Sequence, residues 1–375
     1  MNDARAGRPA GWVLGRVAGV PVVVARSWVL AAVVLTFVFA PSVSRWTGPG
    51  ATSYVVALVF VVLLFASVLV HELAHGLVGQ ARGQRPHEYV LTLWGGHTTF
   101  DGAASTPATN ALVAVVGPVA NILLAGGFML LGDHVAPGGS LLQTVAWAAA
   151  AANAFVGLFN LVPGLPLDGG RILEAAVWAA TKDRHRGTVV AGWTGRVVAV
   201  GVVLVVLVRP WLAGSAPDMV TVVWAAVIGA FLWSGASAAV RGGRTGRAVD
   251  ALSVTAVGRP AVVVGAQASL AQAQAAAAAA QASDVVVLAP DGRPAAYVDT
   301  EAAARVPAEL AGTTNVVAVS VPLPVGTVVD GTLTGDALLR ALSGATRHGP
   351  VVAALVDGHV VAVVRAPDVV AALRR

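Results

Sequence analysis

The sequence predicts an α-helical polytopic membrane protein of about six transmembrane helices with a small membrane-associated β-hairpin, followed by a soluble α/β segment at the C-terminal end. Three observations carry that prediction. Of 375 residues, 57% are hydrophobic and 11% charged, where a soluble domain carries about a quarter charged residues. The apolar residues gather in runs long enough to cross a bilayer, which takes roughly 20 residues each. After Arg247 these runs give way to short valine-rich stretches alternating with helical ones. An ordinary soluble enzyme is excluded.

The N-terminal residues include Arg5, Arg8 and Arg16 and no short apolar run ending in a small-residue cleavage site, so the first apolar segment is expected to stay in the mature protein. Spans are expected at about 28–46, 54–78, 108–132, 141–161 with a broken continuation to about 180, 189–209 and 218–240. Basic clusters punctuate them: Arg5, Arg8, Arg16 and Arg26 before the first, Arg82 and Arg85 after the second, Lys182, Arg184 and Arg186 after the fourth, and Arg241, Arg244 and Arg247 after the sixth. With six spans all four clusters fall on one side, which the positive-inside rule makes the cytoplasm. Both termini and the C-terminal segment are therefore expected in the cytoplasm, on a multi-pass protein of the cell membrane; Arg45 and Arg209 fall on the opposite side. This clustering also accounts for the net charge of +5. No basic patch is interleaved with aromatics, so the expected partner is the lipid bilayer and not nucleic acid.

Between the second and third spans, residues 88–101 read EYVLTLWGGHTTFD. They alternate, hold β-formers and are too short and polar to cross as a helix, which predicts a hairpin around Gly95 and Gly96. Non-helical backbone lies at membrane depth only under protein or beside a wet cavity. Beyond residue 251, strands are expected at Val262–Val264, Asp284–Leu288, Val351–Val356 and Val360–Val364, with helices at Leu270–Gln281 and Thr334–Leu342. Two halves that each pair a helix with a closing hairpin, Val285–Val298 and Val351–Val364, suggest an internal repeat of about 60 residues.

There is no cysteine, so disulfides and thiolate chemistry are excluded and any metal must be held by His, Asp or Glu. The second span runs from Val55 to Val70 without a charge and then reads His71-Glu72-Leu73-Ala74-His75. Residues at i and i+4 share a helix face, so both imidazoles can reach one ion, with the intervening Glu placed beside it. Satisfied polar residues at a helix end are the plain alternative, and the apolar span argues against it, because ionisable groups there are expensive and usually functional.

A catalytic zinc site needs a third protein ligand. Asn160-Leu161-Val162-Pro163-Gly164-Leu165-Pro166-Leu167-Asp168-Gly169-Gly170-Arg171 breaks an apolar region with two prolines and three glycines. That break lets Asp168 point into a protein-lined cavity. Asp168 could equally be the N-cap of a helix over 171–180. Depth favours the ligand reading: His71 lies about 12 Å inside the end of its span at 1.5 Å per residue, and Asp168 approaches the same side. His97, on the hairpin, reads as a cavity-facing polar residue, and His134 belongs on the opposite side of the membrane.

In this combination the chain resembles the site-2 protease family of intramembrane zinc metalloproteases, in its bacterial branch with a C-terminal pair of cystathionine-β-synthase-type (CBS) domains. The resemblance rests on HELAH at 71–75, WGGHT at 94–98, GPVAN at 117–121 and NLVPGLPLDGGR at 160–171. It implies a transmembrane zinc metalloprotease domain over 1–247 and a cytoplasmic tandem CBS-like regulatory domain over 251–375. It further implies one Zn2+ per chain on His71, His75 and Asp168, with Glu72 as general base and acid. Asn160 would help position substrate or the oxyanion, and Gly117, Pro118 and Asn121 would pack the third span against the catalytic helices. Read from its own residues, the Gly-rich hairpin Leu91–Phe100, with Gly95, Gly96 and His97, offers an edge to which an extended substrate could add as a strand, or is a plain structural hairpin. The implied substrate is a single-span membrane protein, such as an anti-sigma factor, cut within or near its membrane segment in regulated intramembrane proteolysis.

For the C-terminal modules the resemblance extends to a CBS-mediated dimer. Nucleotide-binding CBS modules carry a hydroxyl residue and, three positions later, an Asp for ribose. Here those places hold Asp299 and Ala302, then Arg365 and Asp368, departures that count against adenine-nucleotide binding. Two alternatives stay open. A metal transporter calls for acidic residues along a path, and spans one, three, five and six offer almost none. A catalytically silent zinc-binding regulator calls for a lost motif residue, and none is missing.

Overall fold

The computed structural model of the chain describes residues 11–92, 95–100 and 106–374, with His97, Thr99 and Phe100 described by their backbone only. Arg5, Arg8, Trp94 and Asp101, used above, lie outside those residues. The chain forms two compact units, Met1–Gly243 and Arg244–Arg375.

The first unit opens with strands β1 (Gly11–Val17) and β2 (Val20–Ala25), followed by helices α1 (Ser27–Thr47) and α2 (Ala51–Ala81). Strands β3 (Pro86–Thr92) and β4 (Gly95–Phe100) come next, then α3 (Pro107–Leu130), α4 (Leu141–Asn160), α5 (Asp168–Thr181), α6 (Arg184–Leu212) and α7 (Met219–Asp250), whose last turns lie past the unit's end at Gly243. Six of these helices, all but α5, are long and apolar enough to cross a membrane, each overlapping an expected span, with α7 running ten residues past the expected end at 240, and the protein is a multi-pass membrane protein. Their starts carry the chemistry that begins helices. Thr106 caps α3 by accepting from Thr109 N at 3.2 Å, with Pro107 in the first turn, and Asp183 caps α6 by accepting from Arg186 N at 2.9 Å.

The expected hairpin is present as β3 and β4, antiparallel, with Leu91 opposite Gly96 and Thr92 opposite Gly95. It belongs to a larger sheet in the order β1-β2-β3-β4, with β2 parallel to β3. β1 and β2 are the elements missing from the expectation. Their signal was in the sequence: two β-prone runs separated by Ala18-Gly19, both at positive φ (49° and 83°) as a two-residue hairpin turn requires.

The broken continuation of the fourth span is a loop, 161–167, that enters α5 and is clamped from behind. Leu165 N donates to Ala191 O of α6 at 3.1 Å. A Cβ added to Gly195 of α6 would lie 1.9 Å from Leu165 O, and one added to Gly235 of α7 would lie 2.7 Å from the Pro166 ring. Glycines 169 and 170 turn the chain back against Leu161 O and Leu165 N at similarly close range. The loop is seated against α6 and α7 because those helices present no side chain there.

In the second unit, α8 (Val254–Val257) leads into β5 (Gly258–Gly265), α9 (Leu270–Ala280), β6 (Asp284–Leu288), β7 (Pro294–Val298) and α10 (Thr300–Ala304). Then follow β8 (Ser320–Pro322), β9 (Val328–Asp330), α11 (Gly335–Ala345), β10 (Val351–Val356), β11 (His359–Arg365) and α12 (Ala366–Arg374). The seven strands form one sheet in the order β8-β7-β6-β5-β11-β10-β9. β5-α9-β6-β7 and β9-α11-β10-β11 are the same unit twice, a parallel crossover followed by an antiparallel hairpin. This is the repeat visible in the sequence. Each half has its own core, around Leu270, Val285 and Val287 in one and Leu338, Leu342 and Val352 in the other. Across the junction Asp284, 3% exposed, holds Arg365 Nη2 at 2.5 Å, and Arg259 grips both carboxylate oxygens of Asp368 at 3.0 and 3.1 Å.

Because the backbone of Leu165 occupies the space a side chain at 195 would need, Gly195→Ala is expected to cost about 1–3 kcal/mol through overpacking. The check is the midpoint of unfolding in a denaturing-detergent titration, where Gly201→Ala, with open space at its Cβ position, should leave the midpoint in place.

Candidate metal centre

α2 turns one narrow stripe inward, and the lower part of that stripe is Ser67, His71, Glu72, His75, Gly76 and Gly79, all buried. The HELAH segment therefore sits on the face that packs into the bundle, with His71, Glu72 and His75 at 6%, 8% and 8% exposure. α3 lies directly over it. A Cβ on Gly117 would stand 2.4 Å from His75 Nε2 and 2.7 Å from His71 Cε1, so the backbone of α3 rests against the two rings.

Each imidazole is oriented from the side away from its neighbour. His71 Nδ1 pairs with Asn121 Oδ1 at 2.5 Å and His75 Nδ1 with Val113 O at 2.6 Å. Both partners accept, so both Nδ1 atoms carry the proton and both Nε2 atoms present a lone pair. The amide of Asn121 is itself fixed: its Nδ2 donates to Asn153 Oδ1 at 2.9 Å, and Asn153 Nδ2 donates to Ser67 Oγ at 3.1 Å and Ala149 O at 2.9 Å. A chain of hydrogen bonds thus runs from His71 through α3 and α4 back to α2.

Asp168 is the first residue of α5, preceded by Leu167 at the cap position, so it is not the N-cap that the sequence left open. Its Oδ2 lies 3.0 Å from His71 Nε2 and 3.4 Å from His75 Nε2, and the two Nε2 atoms are 3.0 Å apart. His71, His75 and Asp168 are the group among the described residues whose ligand atoms converge in this way. Three electron-rich atoms at such separations repel one another unless a cation lies among them. Ligand atoms spaced tetrahedrally at 2.0–2.1 Å from zinc stand about 3.3 Å from each other. The donor set, two neutral imidazoles and a carboxylate, suits zinc and leaves the fourth position free.

Glu72 is held from the opposite side by the hairpin. Thr98 Oγ1 donates to Glu72 Oε2 at 3.0 Å, and a Cβ on Gly96 would lie 2.4 Å from Glu72 Cγ. Gly95 and Gly96 therefore bring the β4 backbone to the glutamate, with Gly95 at a φ of 115° beside the turn. The His97 side chain lies outside the described atoms; its backbone pairs with Val90. Asn160 ends α4, half-buried, and makes no hydrogen bond to His71, Glu72, His75 or Asp168 among the described residues. Ser67, Val113 and Asn153 were not anticipated. Ser67 and Asn153 could have been, as polar side chains inside apolar spans; the Val113 carbonyl leaves no mark in a sequence.

Residues 133–208 match the model of peptidase family M50, a stretch that holds Asp168 and Gly195 but not the two histidines. A candidate zinc metalloprotease of Synechocystis sp. is 30% identical over 249 residues, 64% of this chain and 62% of that protein. Rip3 of Mycobacterium tuberculosis, named as a candidate zinc metalloprotease, is 35% identical over 229 residues, 60% of this chain and 57% of that protein. The chain thus spans about three-fifths of the length of these relatives. The solved site-2 protease of Methanocaldococcus jannaschii superposes with a TM-score of 0.42 at 23% identity, covering 61% of this chain and 95% of that one.

Removing the partner that orients a metal-binding histidine typically costs 10–100-fold in metal affinity. Asn121→Ala is expected to weaken zinc binding by about that factor, read by competition with a chromophoric chelator, while Asn121→Asp, which keeps an acceptor for His71 Nδ1, should restore most of it.

Proposed function

We propose that the chain is a member of peptidase family M50 and an intramembrane zinc metalloprotease of the site-2 type, hydrolysing peptide bonds within or near the membrane segment of membrane-anchored substrates. The observation that carries this reading is the convergence of His71, His75 and Asp168 beside a buried, oriented glutamate. One Zn2+ per chain, held by these three residues, would polarise the scissile carbonyl and acidify a water at the free position.

The proton chemistry belongs to Glu72. It takes the proton of the attacking water and delivers it to the leaving amine nitrogen, a transfer that needs a carboxylate close to both and restrained in direction. The bond from Thr98 to Oε2 supplies that restraint and leaves Oε1 for the transfer. Asn121 and the Val113 carbonyl hold the two imidazoles in the tautomer that donates lone pairs to the ion. We assign Asn160 to substrate, because its amide, near the clamped loop, has no hydrogen-bond partner among the described residues.

A helical substrate hides its peptide bonds behind its own hydrogen bonds, so it must be unwound locally. β4 is an edge of its sheet and lies against Glu72. In this reading an extended substrate adds to that edge as a further strand, through backbone hydrogen bonds that tolerate many sequences. Gly95 and Gly96 keep the edge low enough for the substrate backbone to reach the ion, with His97 beside them.

We place both termini in the cytoplasm, on the side of the basic clusters. The expected substrate is a single-span membrane protein, an anti-sigma factor being one such class, and the process regulated intramembrane proteolysis. The second unit, with its twice-repeated α/β pattern, is read as a tandem CBS-like regulatory module over 251–375 that also mediates dimerisation. Its carboxylates argue against adenine nucleotide as its ligand: Asp299 caps α10 and Asp368 is gripped by Arg259.

Glu72→Gln is expected to abolish cleavage of a reconstituted single-span substrate and to leave zinc content at one per chain; undiminished cleavage by that variant would falsify the assignment. Thr99→Pro, which removes a backbone N–H from β4, should lower cleavage with zinc retained. An unchanged rate in that variant would discard strand addition while leaving the metal chemistry standing.

A further inference from the structure

Away from the metal centre, one arginine stands inside an apolar span with no carboxylate partner among the described residues. Arg196 of α6 donates from Nε to Ser237 Oγ of α7 at 3.2 Å, and its guanidinium lies over the rings of Trp193 and Trp233, at 4.5 and 5.2 Å from their centroids. These contacts fix the plane of the group and engage one N–H. The other four N–H donors, on the two Nη atoms, have no acceptor among the described residues and are not sealed within the protein. Both tryptophans are 48% exposed, and α6 and α7 are the least buried of the six spans. The donors therefore open on the exposed side of the helix pair, at the groove between α6 and α7.

The depth of that groove follows from the helices. Arg196 is ten residues past Arg186, about 15 Å along the axis, and helical side chains lean toward the N-terminus, here toward the arginine-bearing end. Its stacking on Trp193, one turn earlier, shows that lean. Ser237 is one turn before Arg241. On α7, Trp233, Ser237, Arg241 and Arg244 follow one another at spacings of four, four and three, which is a single stripe, and both arginines are exposed. Tryptophan is the residue of the bilayer interface. The guanidinium thus stands one to two helical turns below the exposed arginines of that end, beneath a rising ladder of positive charge.

An uncompensated guanidinium at that place is costly, and its planar fork matches the two free oxygens of a phosphodiester. We propose that the groove between α6 and α7 is a binding site for an anionic glycerophospholipid, its phosphate held by the Nη atoms of Arg196 between the two tryptophans. The wall behind this groove is the seat of the Asp168 loop. Gly195, next to Arg196, meets Leu165 O, and Gly235, between Trp233 and Ser237, meets the Pro166 ring. A head group bridging α6 and α7 steadies the two helices against which that loop rests.

The test uses the full chain in nanodiscs of phosphatidylcholine with or without phosphatidylglycerol. Phosphatidylglycerol should raise the melting temperature, and native mass spectrometry should show it retained on the chain. Arg196→Gln should abolish that shift and weaken retention by about tenfold, the value of one charge-assisted contact. Arg209→Gln, at the far end of α6, should keep both. If Arg196→Gln does not fold, Arg196→Lys decides, since it keeps the charge without the fork and should retain the lipid measurably less well. The proposal is overturned if the informative Arg196 variant keeps the wild-type response, or if wild type shows no phosphatidylglycerol-dependent shift. It is equally overturned if inorganic phosphate alone gives the shift, or if a single-span peptide with a buried Asp gives an Arg196-dependent shift where the lipid gives none.

Discussion

The approach of α3 to α2 at Gly117 governs the metal centre. Two imidazoles four residues apart on one helix face must be covered by something that brings hydrogen-bond acceptors to their outer nitrogens without filling the space they need. A glycine at 117 lets the α3 backbone lie against the rings, and the residues one turn to either side on the same face, Val113 and Asn121, supply the two acceptors. Any side chain at 117 would hold the helices apart and leave buried polar atoms unmatched, which is expensive anywhere and more so where water is scarce. The network through Asn153 to Ser67 extends the same matching into α4 and back.

Around that contact, each group in the centre is positioned by a different part of the chain. α2 carries both histidines and Glu72, α3 orients the rings, the sheet holds Glu72 through Thr98, and the clamped loop delivers Asp168. Glycine recurs at each meeting point, at 96, 117 and 195, for one physical reason: a backbone or a buried polar group passes where a side chain would stand. The supports of the centre arrive from separate directions. That is the condition for holding reacting groups within a fraction of an ångström.

Much of this was legible in the residues. His71, Glu72 and His75 announce themselves by spacing and by ionisability within an apolar run, and Asp168 by its place after a break of prolines and glycines. The six spans follow from run length. The repeat in the second unit follows from the recurrence of a helix and a hairpin, which the sheet reproduces as two equivalent crossovers. Other features were not legible, because they depend on which elements become neighbours. Thr98 is one threonine among several until β4 packs against α2. A parallel pairing of β2 with β3 joins segments more than sixty residues apart, and local alternation does not record its partner. The ion pairs of Asp284 with Arg365 and of Arg259 with Asp368 likewise link positions that only the finished sheet brings together.

The seating of the 161–167 loop on α6 bears on biosynthesis. Asp168 precedes in the chain the helix that seats its loop, so a nascent polypeptide with four spans inserted has His71, His75 and Asp168 but no Gly195 and no Ala191 beside that loop. The loop can take this seat only after the fifth span has been made. Translation order thus puts the seating of Asp168 after the insertion of both histidines.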